Sequence, residues 1–233
     1  MPVPLISIIT VCYNAEKHIK STIESVLRQC YARVEYIVVD GASTDRTMDI
    51  VERYRDRIAT IISEKDKGLY DAMNKGLEAA KGDYLLFLNA DDQLYDDTVL
   101  EEIFVPDRGA DVYYGEAIFV DKAGKEMGLR SVQTPHKVPE QLSWRSLRYG
   151  MVVSHQAFII KRELAVPYNL QYRICADIDW MIRSLQHCKT FCNTRLIISK
   201  FRTGGASKQR QRLAWRERYG ILQKYYGVLP NFF

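Results

Sequence analysis

The feature that most limits the fold is an alternation of short apolar runs with helix-period stretches through the first hundred residues. LISIITV (5–11), YIVVD (36–40), IATIIS (58–63) and YLLFL (84–88) are short and rich in β-branched or large apolar side chains, as strands buried on both faces are. Between them apolar residues recur at helical spacing: Ile19, Ile23, Val26, Leu27 and Cys30, then Met48, Val51 and Tyr54. A third helix, expected from about Gly68 to Lys81, presents Ala72, Met73, Gly76, Leu77 and Ala80 inward and stops at Gly82. Strands joined by crossovers long enough to hold a helix pair in parallel. The expectation is an α/β fold: a mostly parallel sheet with helices on both faces and any ligand at the carboxyl ends of the strands.

After residue 105 the pattern changes. Residues 111–131 read as strands around an Asp-Lys-Ala-Gly-Lys turn, and 154–164 as another strand. Ile178, Met181, Ile182 and Leu185 mark a helix face just after Asp177, and a last helical stretch runs from about Ala206 to Tyr226. The expected organisation is one domain over 1–206, with a first half at 1–105 and a small mixed β region at 106–206 forming the other side of a cleft. A basic, aromatic helical tail follows at 207–233.

With 47% hydrophobic and 27% charged residues among 233, the chain has globular composition, and no long disordered region is expected. No apolar run approaches the roughly 20 residues that cross a bilayer, and the start MPVPLISIITVCYN shows no signal-peptide pattern. A cytoplasmic location is expected. Five cysteines, odd in number and without a C-x-x-C pair, point to reduced structural residues, not to a disulfide framework or a zinc site. The net charge of +4 is concentrated in the tail, where Lys208, Arg210, Arg212, Arg216, Arg218 and Lys224 face the single acid Glu217. A near-neutral body with a basic end does not fit a nucleic-acid binder; it fits a tail that meets something acidic.

Polar residues gather where the strands end: Tyr13 and Asn14 after the first, Asp40 at the end of the second, Glu64 and Asp66 after the third, Asn89, Asp91 and Asp92 after the fourth. Asp and Asn are common turn formers, so four unrelated turns are one reading; a nucleotide-type rim is the other. Neither G-x-G-x-x-G after the first strand nor a P-loop occurs, which argues against a dehydrogenase and a P-loop NTPase. Without a glycine cradle, a diphosphate is neutralised most directly by a divalent cation held by carboxylates, and Asp91 and Asp92 are placed for that.

The segments ISIITVCYNAEKHIKSTIESVLRQ, EYIVVDGASTDRTMDIV, SEKDKGLYDAMNKGLEAAKGDYLLFLNADD, SHQAFI and ADIDWMIRSL resemble the successive signatures of glycosyltransferase family 2, of the GT-A fold, densely over 5–100 and more thinly over 150–207. The resemblance implies a nucleotide-diphospho-sugar donor, usually a UDP-sugar, a divalent metal (Mn2+ or Mg2+), and transfer that inverts the anomeric centre. The implied acceptor is a glycan or lipid-linked saccharide in cell-surface polysaccharide synthesis. Thr10, Tyr13, Asn14 and Glu16 match the first nucleotide-binding segment, with Tyr13 placed to stack on the base or to pack as a surface aromatic. Asp40 matches the acid that hydrogen-bonds the base and is also suited to cap the next turn; Ser43 and Asp45 read as turn and N-cap residues. Asp66, Gly68 and Lys75 match donor-binding positions, although Lys75 also stands four residues after Asp71, as in an ordinary helix ion pair. Asn89 replaces the first acid of the family's D-x-D pattern, so Asp91 becomes the leading metal ligand, with Asp92 and Asn89 as donor-side neighbours.

Asp177 matches the family's catalytic base, and an acid before a helix is equally an N-cap. Ala176 departs from the Glu-Asp pair of many relatives and removes one polar contact. His155 and Gln156 match a segment lining the acceptor side; a lone strand histidine is otherwise a satisfied core residue. FRTGGAS (201–207) is similar to a glycine loop that closes on the diphosphate, with Arg202 and Ser207 as donor contacts. Trp215, Tyr219, Tyr225 and Tyr226 among the tail's cations match an interfacial helix on the anionic inner face of a membrane, or a helix packed on the body. Two competing functions remain: a non-catalytic nucleotide-sugar binding module, which should have lost one of Asp40, Asp91 and Asp177, and a sugar nucleotidyltransferase, which should open with a glycine-rich loop.

Overall fold

The computed structural model describes residues 3–106, 109–204 and 210–227. The first three strands, β1 (Ile6–Cys12), β2 (Val34–Asp40) and β3 (Thr60–Ser63), alternate with α1 (Ile19–Leu27) and α2 (Thr47–Glu52); α3 (Leu69–Ala79) then leads into β4 (Tyr84–Phe87). All pair in parallel, β2 on one edge of β1 and β4 on the other. The chain therefore leaves β1 in one direction and returns to its opposite side, which opens a crevice at the carboxyl ends of the strands. The β1–β2 register sets Cys12 beside Asp40. Gly76 lies where α3 crosses β1: a Cβ there would stand 2.4 Å from Ile9 Cγ2, so helix propensity is given up for close approach.

The second half completes one mixed sheet. After β5 (Gln93–Leu94) and α4 (Val99–Phe104), the long β6 (Val112–Val120) pairs antiparallel with β7 (Glu126–Leu129) and β8 (Phe158–Lys161), and parallel with β9 (Phe191–Arg202). The order is β3-β2-β1-β4-β8-β6-β9-β5, with β7 beside β6. Short α5 (Arg130–Gln133) follows β7, and α6 (Ala176–Leu185) and α7 (Gln211–Tyr226) finish the domain.

One strand is not signalled by the sequence, and two expectations need correction. Residues 191–202 carry no clear alternation, yet they form the longest strand; the register shifts between Tyr114 and Ala117, with Arg195 at φ 60°, form an irregularity that breaks the two-residue period. The strand expected over 154–164 shrinks to β8, because His155–Ala157 and Arg162–Leu164 are single 3-10 turns. The third strand begins at Thr60. The tail helix packs on the body: Ile221 and Leu222 are buried, and the Trp144 and Tyr226 rings stack at 5.5 Å.

Candidate active site

On the β1–β2 side, the two loops leaving the strands are stitched to each other. The Asn14 amide donates to Ser43 Oγ (2.8 Å), and Asn14 Oδ1 accepts from the Thr44 amide (2.9 Å). The Ala15 amide donates to Thr47 Oγ1, the Glu16 amide to Asp45 Oδ2, and the Arg46 amide to Glu16 Oε2. Asn14 and Ala42 take left-handed backbone (φ 51° and 60°) to close these turns. Asn14 and Glu16 thus form the loops, and Tyr13 stands 64% exposed between them. Thr10 needs correction: it is fully buried and its hydroxyl accepts from Tyr36 Oη (3.1 Å), which makes it a core residue below the rim.

Asp40 is also fully buried. Its oxygens accept from the Ser43 amide and hydroxyl, the Ser63 hydroxyl (2.8 Å) and the Cys12 thiol. A carboxylate offers about four lone-pair sites, so a base would reach Asp40 only by displacing one of these donors. Burial, with Asp40 beside it, pushes the Cys12 thiol far above its usual range, so it stays protonated. Asp66 lies against Gly41, where a Cβ would come within 2.3 Å of Asp66 Oδ2, and accepts from the amide of Gly68, whose φ of 123° opens α3. Lys75 meets Glu64 (2.8 Å), the Lys65 carbonyl (3.1 Å) and, more loosely, Asp71 (4.0 Å); the Glu64 carboxylate raises its pKa.

After β4 the chain turns sharply, the Asp92 amide donating to the Asn89 carbonyl (3.0 Å). The two acids face different surroundings. Asp92 is buried and accepts from Gln156 Nε2 (2.6 Å) and the Arg202 amide (3.1 Å); burial and the Asp91 charge push its carboxyl well above the usual range. Asp91 is partly exposed, and burial raises its pKa against the opposing pull of its own amide, His18 and Arg202. Asn89 Oδ1 is buried and unpartnered. Asp92 and Gln156 therefore form an internal brace, which corrects their expected ligand-facing roles. Arg202 ends β9 with its guanidinium on the carbonyls of Asp121 and Lys122 (2.8 Å each). Ser207 and Gly205, of the expected closing loop, lie outside the described residues.

Asp177 sits in the first turn of α6. Its Oδ1 accepts from the Ile178 amide (3.0 Å) and from Tyr70 Oη (3.2 Å), and Tyr70, the second residue of α3, joins it to the rim beside Gly68. Burial raises the Asp177 pKa to about 6, against these two hydrogen bonds. The carboxylate is thus ionised at neutral pH yet basic enough to accept a proton. His155 is not on an open acceptor face, a further correction. It is buried beneath the site, stacked on Phe87 and edge-on to Trp180, with Nε2 and Tyr168 Oη 2.7 Å apart, and burial holds it neutral with a pKa of about 4. Sequence reasoning missed His18 and Tyr70; neither stands in a position that strand ends or periodicity single out.

Among the described residues no three His, Cys, Asp or Glu side chains converge as a metal cage. The donor set nevertheless fits a hard divalent cation shared with a phosphate, because such ions are often held by only one or two carboxylates. Asp91 supplies a carboxylate, and the orphaned Asn89 Oδ1 in the same turn supplies a neutral oxygen.

The family model "Glycosyl transferase family 2" matches residues 7–166. A PGL/p-HBAD biosynthesis glycosyltransferase of Mycobacterium tuberculosis is 34% identical over 192 residues, 78% of this chain and 70% of that one. TuaG of Bacillus subtilis, a putative teichuronic acid biosynthesis glycosyltransferase, is 41% identical over 103 residues, 43% of this chain and 41% of that one. Among solved structures, S. aureus TarS 1-349 in complex with UDP-GlcNAc superposes with a TM-score of 0.75 at 19% identity, over 93% of this chain and 64% of TarS 1-349. The chain thus spans slightly under two thirds of that structure. A Pyrobaculum calidifontis mannosyltransferase in complex with GDP-Man and Mn2+ gives 0.66 at 17% identity, over 92% of this chain and 60% of that one. The shared architecture is GT-A, and the chain belongs to glycosyl transferase family 2.

Proposed function

We propose that this protein transfers a sugar from a nucleotide-diphospho-sugar, most directly a UDP-sugar, to a hydroxyl of a glycan or lipid-linked saccharide in cell-surface polysaccharide synthesis. The observation that carries this reading is Asp177: an acid raised to a pKa of about 6 and tied through Tyr70 to the donor-side rim. Asp177 takes the proton of the acceptor hydroxyl as that oxygen bonds to the anomeric carbon, while the bond to the diphosphate breaks on the opposite side. The result is inversion by direct displacement. Tyr13 offers its exposed ring to the base, Asp66 and Gly68 shape the loop beside it, and Asp91 with Asn89 would hold Mn2+ or Mg2+. The ion supplies neutralisation of charge on the departing diphosphate. Arg202 adds a fixed positive charge beside Asp91. The relatives named for PGL/p-HBAD and teichuronic acid biosynthesis support the cell-surface acceptor class, and the TarS complexes with UDP-GlcNAc and UDP support the donor class.

The tail adds a second element to the proposal. Arg212, Trp215 (64% exposed), Arg216 and Tyr219 (41% exposed) lie on one outward strip of α7, suited to an anionic lipid surface at the inner face of a membrane. No described helix is long and apolar enough to cross one. The protein should sediment with anionic liposomes and lose that on charge reversal of Arg212 and Arg216; no binding at low salt removes the membrane element.

The enzymatic reading is tested by turnover of UDP-, GDP- and dTDP-sugars with and without Mn2+. One donor class should be consumed in a metal-dependent way, and Asp91→Asn should abolish this while circular dichroism stays unchanged. Binding of no donor, or undiminished metal-dependent transfer by Asp91→Asn, overturns it.

A further inference from the structure

The turn that delivers Asp177 is held from a distant part of the chain. Three consecutive amides just before α6 converge on one carboxylate. The Arg173 amide donates to Glu217 Oε1 (2.8 Å), and those of Ile174 and Cys175 donate to Glu217 Oε2 (2.9 and 3.0 Å). Glu217 lies mid-way along α7 and is the only acid of the last 27 residues. Cys175 occupies the N-cap of α6 without a side-chain cap, and its thiol points instead to the Ala214 carbonyl of α7 (3.4 Å).

The same peptide is held from its other side. The Ile174 carbonyl accepts from Tyr70 Oη (2.7 Å), whose one proton it shares with the more distant Asp177 Oδ1 (3.2 Å). α7 is anchored at other points as well, on the following residues of α6 and in the core. The wholly buried Asp179 accepts from Tyr225 Oη (2.8 Å) and pairs with Arg183 (2.7 Å) and Lys224 (3.6 Å), while Ile221 and Leu222 enter the core. The helix therefore offers Glu217 from a fixed platform.

We propose that Glu217 is a positioning residue, which sets the backbone two to four residues before Asp177 and thereby the place of that carboxylate against the acceptor hydroxyl. The proposal rests on Asp177 being the base. Charge-assisted hydrogen bonds to a single carboxylate fix direction as well as distance, and a misplacement of about 1 Å costs on the order of 10²-fold in rate. Because Glu217 also adds its negative charge to the surroundings of Asp177, its neutralisation should ease ionisation of the base.

The test compares the full-length enzyme with Glu217→Gln, Asp177→Asn and the double variant in metal-supplemented transfer assays. Glu217→Gln should lower kcat about 10²-fold with donor KM within about twofold, and its acid limb should move to lower pH. The double variant should be no slower than Asp177→Asn alone, since both changes act through one group. A folded Glu217→Gln enzyme with near-native kcat, an unmoved acid limb, or multiplying losses in the double variant overturns the role of Glu217 alone. Retained transfer by Asp177→Asn overturns the base and the positioning role together. Should Glu217→Gln not fold, amide exchange in the unaltered enzyme decides. The amides of Arg173, Ile174 and Cys175 should exchange at least about tenfold more slowly than exposed loop amides, and unprotected amides overturn the proposal.

Discussion

On the β1–β2 side of the rim the acids are already occupied by the protein itself. Asp40 is filled by Ser43, Ser63 and Cys12, and Asp45 by Thr47 and the Glu16 amide. On the α6 side, Asp177 has the Ile178 amide and a longer bond from Tyr70, with its pKa raised by burial. The acids after β4 repeat the contrast at close range, Asp92 braced inside and Asp91 partly exposed. An acid-rich rim is therefore two things at once: some of its carboxylates build the loops, and those with spare accepting capacity are the ones the proposed reaction uses. The two kinds should respond oppositely to mutation, one losing stability and the other losing activity.

Asp177→Asn carries the largest expected effect, a loss of transfer of about 10²- to 10⁴-fold. In the unaltered enzyme, kcat should fall below about pH 6, where the base is protonated. Stability should move the other way. The native carboxyl binds its proton more tightly than the unfolded one, so the native state is penalised progressively as pH rises from about 4 to 6, and fully at pH 7. Urea titration should show the Asn variant more stable by roughly 1–3 kcal/mol at pH 7 and without that gain at pH 4. An unchanged or lower midpoint at pH 7 would place Asp177 among the loop-building acids.

Ser43→Ala tests the opposite side. It removes a donor to buried Asp40 and the acceptor of the Asn14 amide, and should cost roughly 1–3 kcal/mol in denaturant unfolding while the acid limb of kcat stays in place. Gly41→Ala should cost about 1–3 kcal/mol as the new methyl pushes Asp66 away; a variant of native stability would show that the Asp66 carboxylate swings aside freely. The smallest effect belongs to Lys75→Met. Its ion pair with well-exposed Glu64 is worth at most about 1 kcal/mol, and donor KM should stay within about twofold. A tenfold rise would transfer Lys75 to the ligand-facing group.

The first four strands were legible because their apolar runs and intervening helices are local, and Gly76 faced the sheet as its spacing required. The second half was legible only in pieces. The irregularity around Arg195 hides a twelve-residue strand, and a side chain such as Gln156 can face an acceptor or brace Asp92 with the same sequence neighbours. For the rim, strand ends located the acids, but which were filled depended on serines and threonines from other loops. Contacts across 107 residues, such as Tyr70 to Asp177, leave no local pattern. Thr10, His155 and Gln156 sit in matching segments yet point into the core, which burial alone reveals.

The Glu217 contacts also bear on the order of events during synthesis. The amides of residues 173–175 find their acceptor 42 to 44 residues later in the chain, whereas the β1–β4 sheet closes on contacts made much earlier. As the polypeptide leaves the ribosome, the loops after β1 and β2 can lock to each other long before the turn carrying Asp177 receives its clamp. A nascent chain can thus close the loops after β1 and β2 first and the turn carrying Asp177 last, only after α7 has emerged and docked.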